Sequence, residues 1–420
     1  MTDIERKTGG AWRPWLMWGL GAALYCYAFF QRVVPSVMVA DLMRDFAIGA
    51  ALVGNLSAFY FYSYASVQVP VGVLVDRFGP RVVLAAGAGL AGAGSFLMGA
   101  ADVLEWAYAG RLLVGAGVGV SFVASLRLAA IWFPPRRFAL ISGMTLMFGM
   151  AGGIGGQGPL APVVVAFGWR GTLMVAGGVA LALAALIWLF VRDKPADGSP
   201  QHHEQSHDSI LGGLKAALQE RQTWVLAAVG MMQAVPLLAF AGLWAVPYAM
   251  TVYGLDRPAA AAMASLVLLG WAVAGPFQGW LSDRLGRRRL PIIIASGFAF
   301  ATMVAIVYVP GMPLWLTQGM FVANGFACAA MPVVFAATRE ANPRAVGPAL
   351  AFVNMATVAS GALFQPLIGW LLDRAWDGAM VAGARVYAPE AYRAAFIVLI
   401  AAAAMGFALS FFIREKRPGI

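Results

Sequence analysis

Long apolar segments recur along the whole chain and are separated by short polar stretches. A helix needs about 20 mostly apolar residues to cross the hydrocarbon core of a bilayer. The pattern predicts twelve membrane-spanning helices, at residues 13–39, 50–73, 82–101, 106–131, 139–162, 171–191, 223–247, 259–280, 290–310, 313–337, 347–371 and 393–413. One long polar stretch, 192–222, divides them into two sets of six. We therefore expect an N-terminal bundle over 1–191 and a C-terminal bundle over 223–420, joined by a polar loop.

The composition excludes most soluble classes of protein. Of the 420 residues, 61% are hydrophobic and only 11% are charged. Soluble domains carry roughly 25% charged residues, so this chain has too little charge to cover a water-facing surface of its size. Soluble enzymes, nucleic-acid-binding proteins and disordered proteins are excluded, and an all-α membrane protein remains. The two cysteines, Cys26 and Cys328, lie in apolar segments and make no disulfide framework.

Basic residues cluster in alternate loops, and this asymmetry predicts the orientation. With a cytoplasmic N-terminus, 20 of the 29 basic residues fall in cytoplasmic segments and six in outer loops, while three lie inside predicted helices. Cytoplasmic loops of membrane proteins are enriched in Lys and Arg. We expect a multi-pass protein of a bacterial inner membrane, with both termini and the central loop cytoplasmic. The net charge of +10 is then an orientation signal, and no nucleic-acid partner is expected.

A short motif of glycine, aspartate and arginine occurs twice, half a chain length apart. The first copy follows the second predicted helix and contains Gly72, Asp76, Arg77, Gly79 and Arg81. The second copy follows the eighth predicted helix and contains Gly279, Asp283, Arg284, Gly286 and Arg288. The repeat predicts two pseudo-symmetric bundles of six helices, and parallel halves around a midplane site are one plan of membrane transporters. The alternative is a pair of basic loops that only set the topology.

The two loops resemble the signature of the major facilitator superfamily, G-x-L-x-D-R-x-G-x-[RK], and the resemblance covers essentially the whole chain. It implies an alternating-access transporter of a small molecule, with no enzymatic activity and no cofactor, in which these loops gate the cytoplasmic side. Their first glycines are expected to allow close helix packing. A non-transporting membrane sensor is the alternative class, although it does not need paired gate loops.

Three further segments are similar to one branch of that superfamily, the lysosomal dipeptide transporters and bacterial amino-acid and nucleoside transporters. They are residues 29–38 in the first helix, 242–248 in the seventh and 369–378 after the eleventh. This resemblance implies amino acids or short peptides as substrates. The alternatives are proton-coupled transport of other organic anions and export of a drug or metabolite.

Three arginines lie inside predicted helices, where charge is costly and points to function. Arg32 lies in the first helix, one of the four that line the central cavity in the resembled family. We interpret it as the contact for a substrate carboxylate, because a guanidinium can bind one through two hydrogen bonds. The alternative is a guanidinium satisfied by backbone carbonyls and nearby acids. Arg111 and Arg127 lie on nearly opposite faces of the fourth helix, and both are further candidate contacts for substrate. The alternative is that Arg111 anchors the outer end of the helix and that Arg127 extends its side chain toward the cytoplasm.

Polar and aromatic side chains on the other spans complete the candidate pocket. They are Tyr25, Tyr64, Gln68, Gln233, Trp244, Tyr248, Asn324 and Asn354. Buried amides need partners, so some of these residues are expected to tie helices together instead. Trp244 and Tyr248 are also placed where interfacial aromatic residues occur.

Acidic and histidine side chains are missing from the middle of every predicted span. All nineteen acidic residues fall in loops or near helix ends, and the three histidines, His202, His203 and His207, lie in the central loop. We interpret that histidine cluster as a solvated linker and expect no metal site. Because proton-driven transporters usually keep a buried protonation site, the sequence favours uniport or exchange of a carboxylate-bearing solute. Protons remain a candidate coupling ion, and we expect a monomer in the lipid bilayer.

Overall fold

The structure is a computed structural model that describes residues 12–68, 70–193 and 210–415. The histidine cluster at 202–207 lies outside the described residues. In the N-terminal half, the α-helices are α1 (Arg13–Val33), α2 (Val39–Asp45), α3 (Ala50–Gln68), α4 (Val71–Gly99), α5 (Leu104–Val118), α6 (Ser121–Trp132), α7 (Phe138–Gly155) and α8 (Leu160–Phe190). Short 3-10 turns occupy Val34–Val37 and Pro135–Arg137.

The second half of the chain is also helical, with one small hairpin. Its helices are α9 (Ile210–Gln219), α10 (Arg221–Val235), α11 (Ala245–Tyr253), α12 (Arg257–Leu285), α13 (Arg289–Tyr308), α14 (Leu314–Ala327), α15 (Met331–Ala341), α16 (Val346–Arg374), α17 (Pro389–Ala395) and α18 (Ile397–Ser410). A π-helical segment, Pro236–Trp244, joins α10 to α11. The antiparallel hairpin consists of β1 (Met380–Val381) and β2 (Ala384–Arg385).

Ten helical segments of the described residues are long and apolar enough to cross a membrane. They are Val71–Gly99, Leu104–Trp132, Pro135–Gly155, Leu160–Phe190, Arg221–Tyr253, Arg257–Leu285, Arg289–Tyr308, Leu314–Ala341, Val346–Arg374 and Pro389–Ser410. An eleventh is the pair Arg13–Val37 and Val39–Asp45, bent by 64°, if the pair is one span. The helix Ala50–Gln68 has the length of a span but contains a larger share of polar side chains than the segments named above. Each predicted span overlaps one of these segments.

Two glycines turn the chain where the sequence predicts breaks between spans. Gly79 has φ 78° and ψ 154° inside α4, and Gly168 has φ 71° and ψ 164° inside α8. These angles are far from helical, and a positive φ is accessible to glycine at little cost. The breaks therefore separate the second predicted span from the third and the fifth from the sixth without a loop.

The described residues form two compact units. The first unit takes the described parts of Met1–Arg32, Tyr62–Gly156 and Val163–Ser206. The second unit takes the described parts of Val33–Phe61, Gln157–Pro162 and His207–Ile420. A division at the central loop, with bundles over 1–191 and 223–420, stays a prediction.

Each unit has its own apolar core and its own close helix contacts. One cluster in the first unit contains Trp18, Ala22, Ala129, Phe133 and Ile141. A larger cluster in the second unit includes Leu226, Val229, Ile292, Val334 and Val353. In the first unit a Cβ on Gly117 of α5 would collide with the carbonyl of Gly87 in α4. In the second unit a Cβ on Gly325 of α14 would collide with the carbonyl of Val267 in α12. Such small-residue contacts are typical of membrane helices.

Candidate functional site

Arg32 lies in the last turn of α1, at the bend of the first span. A 3-10 turn containing Pro35 follows, since proline lacks the N–H that an α-helix would use. The carbonyl dipoles at a helix C-terminus favour a cation in this turn. The sequence pattern places a continuous helix over 13–39, so it predicts Arg32 correctly within the span but does not reveal the bend.

Two aromatic rings lie close to the guanidinium of Arg32. Its central carbon lies 4.2 Å from the ring centroid of Phe29 and 5.2 Å from that of Tyr64. The ring of Tyr25 lies 5.0 Å from Phe29 and 5.1 Å from Phe122. Arg32 is only 6% exposed, and cation–π contacts strengthen when the cation is desolvated. The first unit thus brings three predicted site residues together, since Arg32 contacts the rings of Phe29 and Tyr64 and Tyr25 contacts Phe29.

A buried polar network supports the backbone beside Arg32. Arg111 is 1% exposed and donates through Nη1 to the carbonyl of Gln31 at 2.9 Å. The Gln31 amide donates to Tyr27 at 2.5 Å and to Ser95 at 2.8 Å. Arg111 therefore contacts the residue next to Arg32, and its predicted contact with substrate stays a prediction. Sequence patterns did not single out Gln31, Tyr27 or Ser95, since only the fold brings them together.

Gln68 is half-buried at the end of α3. Its amide donates to the carbonyl of Gly119 at 3.1 Å, in the break between α5 and α6. The fourth predicted span is therefore interrupted, and Gln68 binds one of the carbonyls exposed by the interruption. The glycine run at Gly115, Gly117 and Gly119 was the available signal for this break.

The first gate loop is held within the first unit. Arg127 lies 3.5 Å from the carboxylate of Asp76, so the structure places it beside a residue of the first motif, whose gating role stays a prediction. Arg81 donates to the carbonyl of Trp188 at 2.9 and 2.6 Å, and its backbone N–H donates to Asp193 at 2.8 Å. Asp193 thus caps the loop from the end of α8, which the motif itself does not reveal.

The second gate loop is held by a different set of contacts. Arg288 donates to Asp283 at 2.6 Å and to Glu340 of α15 at 2.9 Å. Partial burial lowers the pKa of Arg288, but the hydrogen bonds to Asp283 and Glu340 raise it more, so the pKa lies above its ordinary value and Arg288 stays charged. Gly286 ends α12 with φ 61°, the left-handed C-cap conformation. Glu340 is a partner that the sequence motif did not reveal.

The remaining arginines of the motif, Arg77 and Arg284, lie at exposed positions, and its first glycines are half-buried. The guanidinium carbon of Arg77 lies 5.4 Å from the ring of Phe78, and that of Arg284 lies 5.3 Å from the ring of Trp280. A Cβ on Gly72 would meet no atom within 4 Å, and the same holds for Gly279. Close helix packing, the expected reason for these two glycines, is wrong for this structure.

Four predicted site residues pack inside the second unit and tie its helices together. Their side-chain contacts are Gln233 to Ser296 at 2.7 Å, Trp244 to the carbonyl of Gln365 at 3.0 Å, Tyr248 to the carbonyl of Ile306 at 2.8 Å and Asn324 to Thr302 at 3.0 Å. All four are buried. The sequence allows two roles for these residues, lining the pocket or tying helices together, and these contacts are of the second kind. The fifth predicted residue of this half, Asn354 of α16, is half-buried, and its role stays a prediction.

The π-helical segment Pro236–Trp244 is bound by two glutamines. Gln365 of α16 donates to the carbonyl of Leu238 at 2.7 Å, and Gln157 donates to the carbonyl of Ala241 at 2.6 Å. A π-helical stretch disturbs the regular i→i−4 ladder and often marks a functional position. Gln157 was missed because nothing in its local sequence shows which carbonyl it contacts.

The sequence profile of the Major Facilitator Superfamily matches residues 21–263 and 237–419. The chain belongs to this superfamily. It is a multi-pass membrane transporter rather than an enzyme, and the predicted fold class of twelve helices in two pseudo-symmetric bundles is confirmed.

The chain is similar to proteins named as transporters of two different solutes and to one named as a membrane sensor. The chain is 26% identical over 289 residues to the probable sulfoacetate transporter SauU of Cupriavidus necator, covering 66% of this chain and 67% of that protein. It is 25% identical over 389 residues to the membrane sensor protein UhpC of Escherichia coli, covering 85% and 84%. It is 22% identical over 383 residues to a putative tartrate transporter of Agrobacterium vitis, covering 83% and 85%.

A solved structure has the same fold. A bacterial homolog of the human lysosomal transporter Spinster, in an inward-facing and unoccupied conformation, matches with a TM-score of 0.78. The match covers 96% of this chain and 98% of that chain at 16% identity, so it shows the fold alone.

Proposed function

We propose that this transporter moves a small carboxylate-bearing or other organic anion by uniport or exchange, with Arg32 binding the anionic group. The observation that supports the proposal is the buried guanidinium of Arg32 in contact with the rings of Phe29 and Tyr64. A charge held away from water attracts an opposite charge more strongly than it would in solution. A planar guanidinium also suits the two oxygens of a carboxylate.

The names of the relatives favour organic acids. Sulfoacetate and tartrate, which appear in the names of two relatives, are small anions with carboxylate or sulfonate groups. The names of the relatives reported above do not mention amino acids or short peptides, which are the substrates implied by the finer sequence resemblance. Sulfoacetate, tartrate, amino acids and short peptides all contain a carboxylate, and this is the group that we propose Arg32 binds. Uptake measured with a panel of such solutes identifies the rest of the molecule.

The distribution of acidic residues supports transport without an obligatory proton. All nineteen acidic residues fall in loops or near helix ends. Asp76 and Asp283 are held at the gate loops, by Arg127 and Arg288 respectively. We further propose a bacterial inner membrane as the location, both termini in the cytoplasm, and a monomer as the functional form. The excess of basic residues in the predicted cytoplasmic segments supports this orientation.

Uptake by proteoliposomes tests the role of Arg32. Purified protein is expected to take up labelled tartrate or sulfoacetate, with a labelled neutral dipeptide compared in parallel. Arg32→Ala should lower uptake at least tenfold, because a lost charge-assisted hydrogen bond costs about 1.5–3 kcal/mol. Arg136→Ala, at an exposed position, is the matched control and should transport normally.

Two outcomes would contradict the proposal. Wild-type uptake by Arg32→Ala would remove Arg32 from the substrate site. A protein that binds the anions but transports none of them would favour a sensor, the function named for the relative UhpC.

A further inference from the structure

A cavity of about 440 Å³ lies within the second unit, at the helix ends predicted to face outward. Its walls come from three stretches of chain, within residues 36–43, 246–257 and 381–392. The residues that line it do not include Arg32, Phe29 or Tyr64, so the cavity is not the contact described at Arg32. Its volume falls within the range of small-molecule sites, about 300–1,000 Å³.

The cavity combines apolar walls with two fixed cations. Val246, Met250 and Val386 are among the apolar lining residues. Arg257 and Arg385 line the same cavity. An apolar pocket with a few placed polar groups is the usual form of a site for a small organic molecule. Two guanidinium groups select an anion as the polar part of that molecule.

The hairpin fixes the position of Arg385. Arg385 lies on β2, and the turn before it has φ 49° at Ala382 and 80° at Gly383. Its guanidinium carbon lies 4.2 Å from the ring centroid of Trp376. Stacking on the indole holds the planar guanidinium in one orientation. The side chain is therefore preorganised and remains about one-third exposed.

Arg385 is a weak partner of the carboxylate that it contacts. Its Nη1 donates to Oδ1 of Asp373 at 3.2 Å. The same oxygen accepts shorter hydrogen bonds from the Tyr387 hydroxyl at 2.6 Å and from the Ala50 amide at 3.0 Å. Burial and the hydrogen bond to Asp373 raise the pKa of Tyr387 above its ordinary value, so this hydroxyl stays a donor at physiological pH. Asp373 is satisfied by these groups, and Arg385 has N–H donors to spare for a second anion.

Arg257 is held by a carboxylate that a ligand would have to compete with. It donates to the two oxygens of Asp41 at 2.7 and 3.4 Å. The Asp41 side chain is 13% exposed and also accepts a hydrogen bond from Arg44 at 3.2 Å. Removal of the negative charge at Asp41 would leave Arg257 in the cavity wall without its internal anion.

We propose that this cavity is a second binding site for a small organic anion, in addition to the contact at Arg32. Arg385 and Arg257 bind the carboxylate, and the valine and methionine side chains pack against the apolar body of the solute. The choice of carboxylate as the anionic group rests on the proposed function.

Isothermal titration calorimetry on the full-length protein tests the second site. Cyclohexanecarboxylate is the probe, and cyclohexanecarboxamide is the neutral control of the same shape. Titrations use the Arg32→Ala background, so that the remaining binding reports the cavity lined by Arg257 and Arg385. The acid should bind and the amide should not. Arg257→Gln and Arg385→Gln should each weaken the acid about tenfold or more, the effect expected from one charge-assisted hydrogen bond.

The variant Asp41→Asn gives an effect that misfolding does not produce. It should bind the acid more tightly than its parent, because the internal competitor for Arg257 has lost its charge. A ligand-dependent change in the fluorescence of Trp376, identified by its absence in Trp376→Phe, places the ligand at Arg385.

Equal binding of the acid and the amide would overturn this inference. Unchanged affinity in both arginine variants, or weaker binding by Asp41→Asn, would overturn it as well. Failure of the proposed function gives a different result. Arg32→Ala would then take up the anion at the wild-type rate, while the fluorescence of Trp376 would still respond to cyclohexanecarboxylate.

Discussion

At the scale of single residues, the second gate loop depends on the forked side chain of Arg288. It reaches Asp283 at 2.6 Å and Glu340 at 2.9 Å through different nitrogens. Arg288→Gln should lower the free energy of unfolding by about 1 kcal/mol, a modest loss because the pairs are partly solvated. Arg288→Lys should be intermediate, since lysine keeps the charge but lacks the fork. Thermal unfolding of the purified protein in detergent measures these differences.

Arg287→Gln is the matched control for that experiment. It removes the same charge from the same loop at an exposed side chain. If Arg287→Gln and Arg288→Gln lower the melting temperature equally, general charge explains the loss and the specific pairs do not.

The candidate site could be predicted in part from single residues. Charge inside an apolar segment identified Arg32, because that signal is local in sequence. The partners of the gate loops, Asp193 and Glu340, are distant in sequence from the motifs that they cap. No local pattern indicates such a contact, since each carboxylate lies near a helix end where acids are common.

At the scale of helices, close packing in the first unit depends on which face of α7 each glycine occupies. A Cβ on Gly152 would collide with the backbone carbonyl of Cys26 in α1. A Cβ on Gly155 would meet no atom within 4 Å. Gly152→Ala should therefore destabilise the protein by about 1–3 kcal/mol. Gly155→Ala should be neutral or stabilising by about 0.5–1 kcal/mol, since alanine favours a helix.

The two variants make the same chemical change three positions apart on one helix. Thermal unfolding and size-exclusion chromatography compare them. Similar stability of the two proteins would contradict the contact between α1 and α7, whereas a difference in the stated direction supports it.

Hydropathy predicted where the helices lie but not how they depart from regularity. Each predicted span overlaps a helical segment, because lipid demands long apolar stretches whatever the tertiary contacts. The π-helical segment Pro236–Trp244 is different, since side chains of Gln365 and Gln157 bind its carbonyls from other parts of the chain. The pattern of apolar residues does not predict such contacts between distant parts of the chain.

At the scale of the whole molecule, the placement of acidic residues predicts the energetics of transport. A proton-coupled carrier needs a group that is protonated on one side and released on the other. Asp102, Glu105 and Asp373, near the predicted outer ends of helices, are the acids that could serve in place of a mid-span carboxylate. Asp373 already accepts hydrogen bonds from the backbone amides of Ala50 and Ala51.

We therefore expect an imposed pH gradient to leave transport unchanged. Proteoliposomes with a clamped membrane potential should take up labelled tartrate at the same initial rate with and without an inward proton gradient. Unlabelled tartrate preloaded inside should accelerate uptake if the protein is an exchanger and leave it unchanged in a uniporter. Accumulation above equilibrium that collapses with the gradient would contradict this expectation. Asp102→Asn, Glu105→Gln and Asp373→Asn would then identify the coupling group, and coupling retained in all three would assign the proton to the carboxylate of the solute.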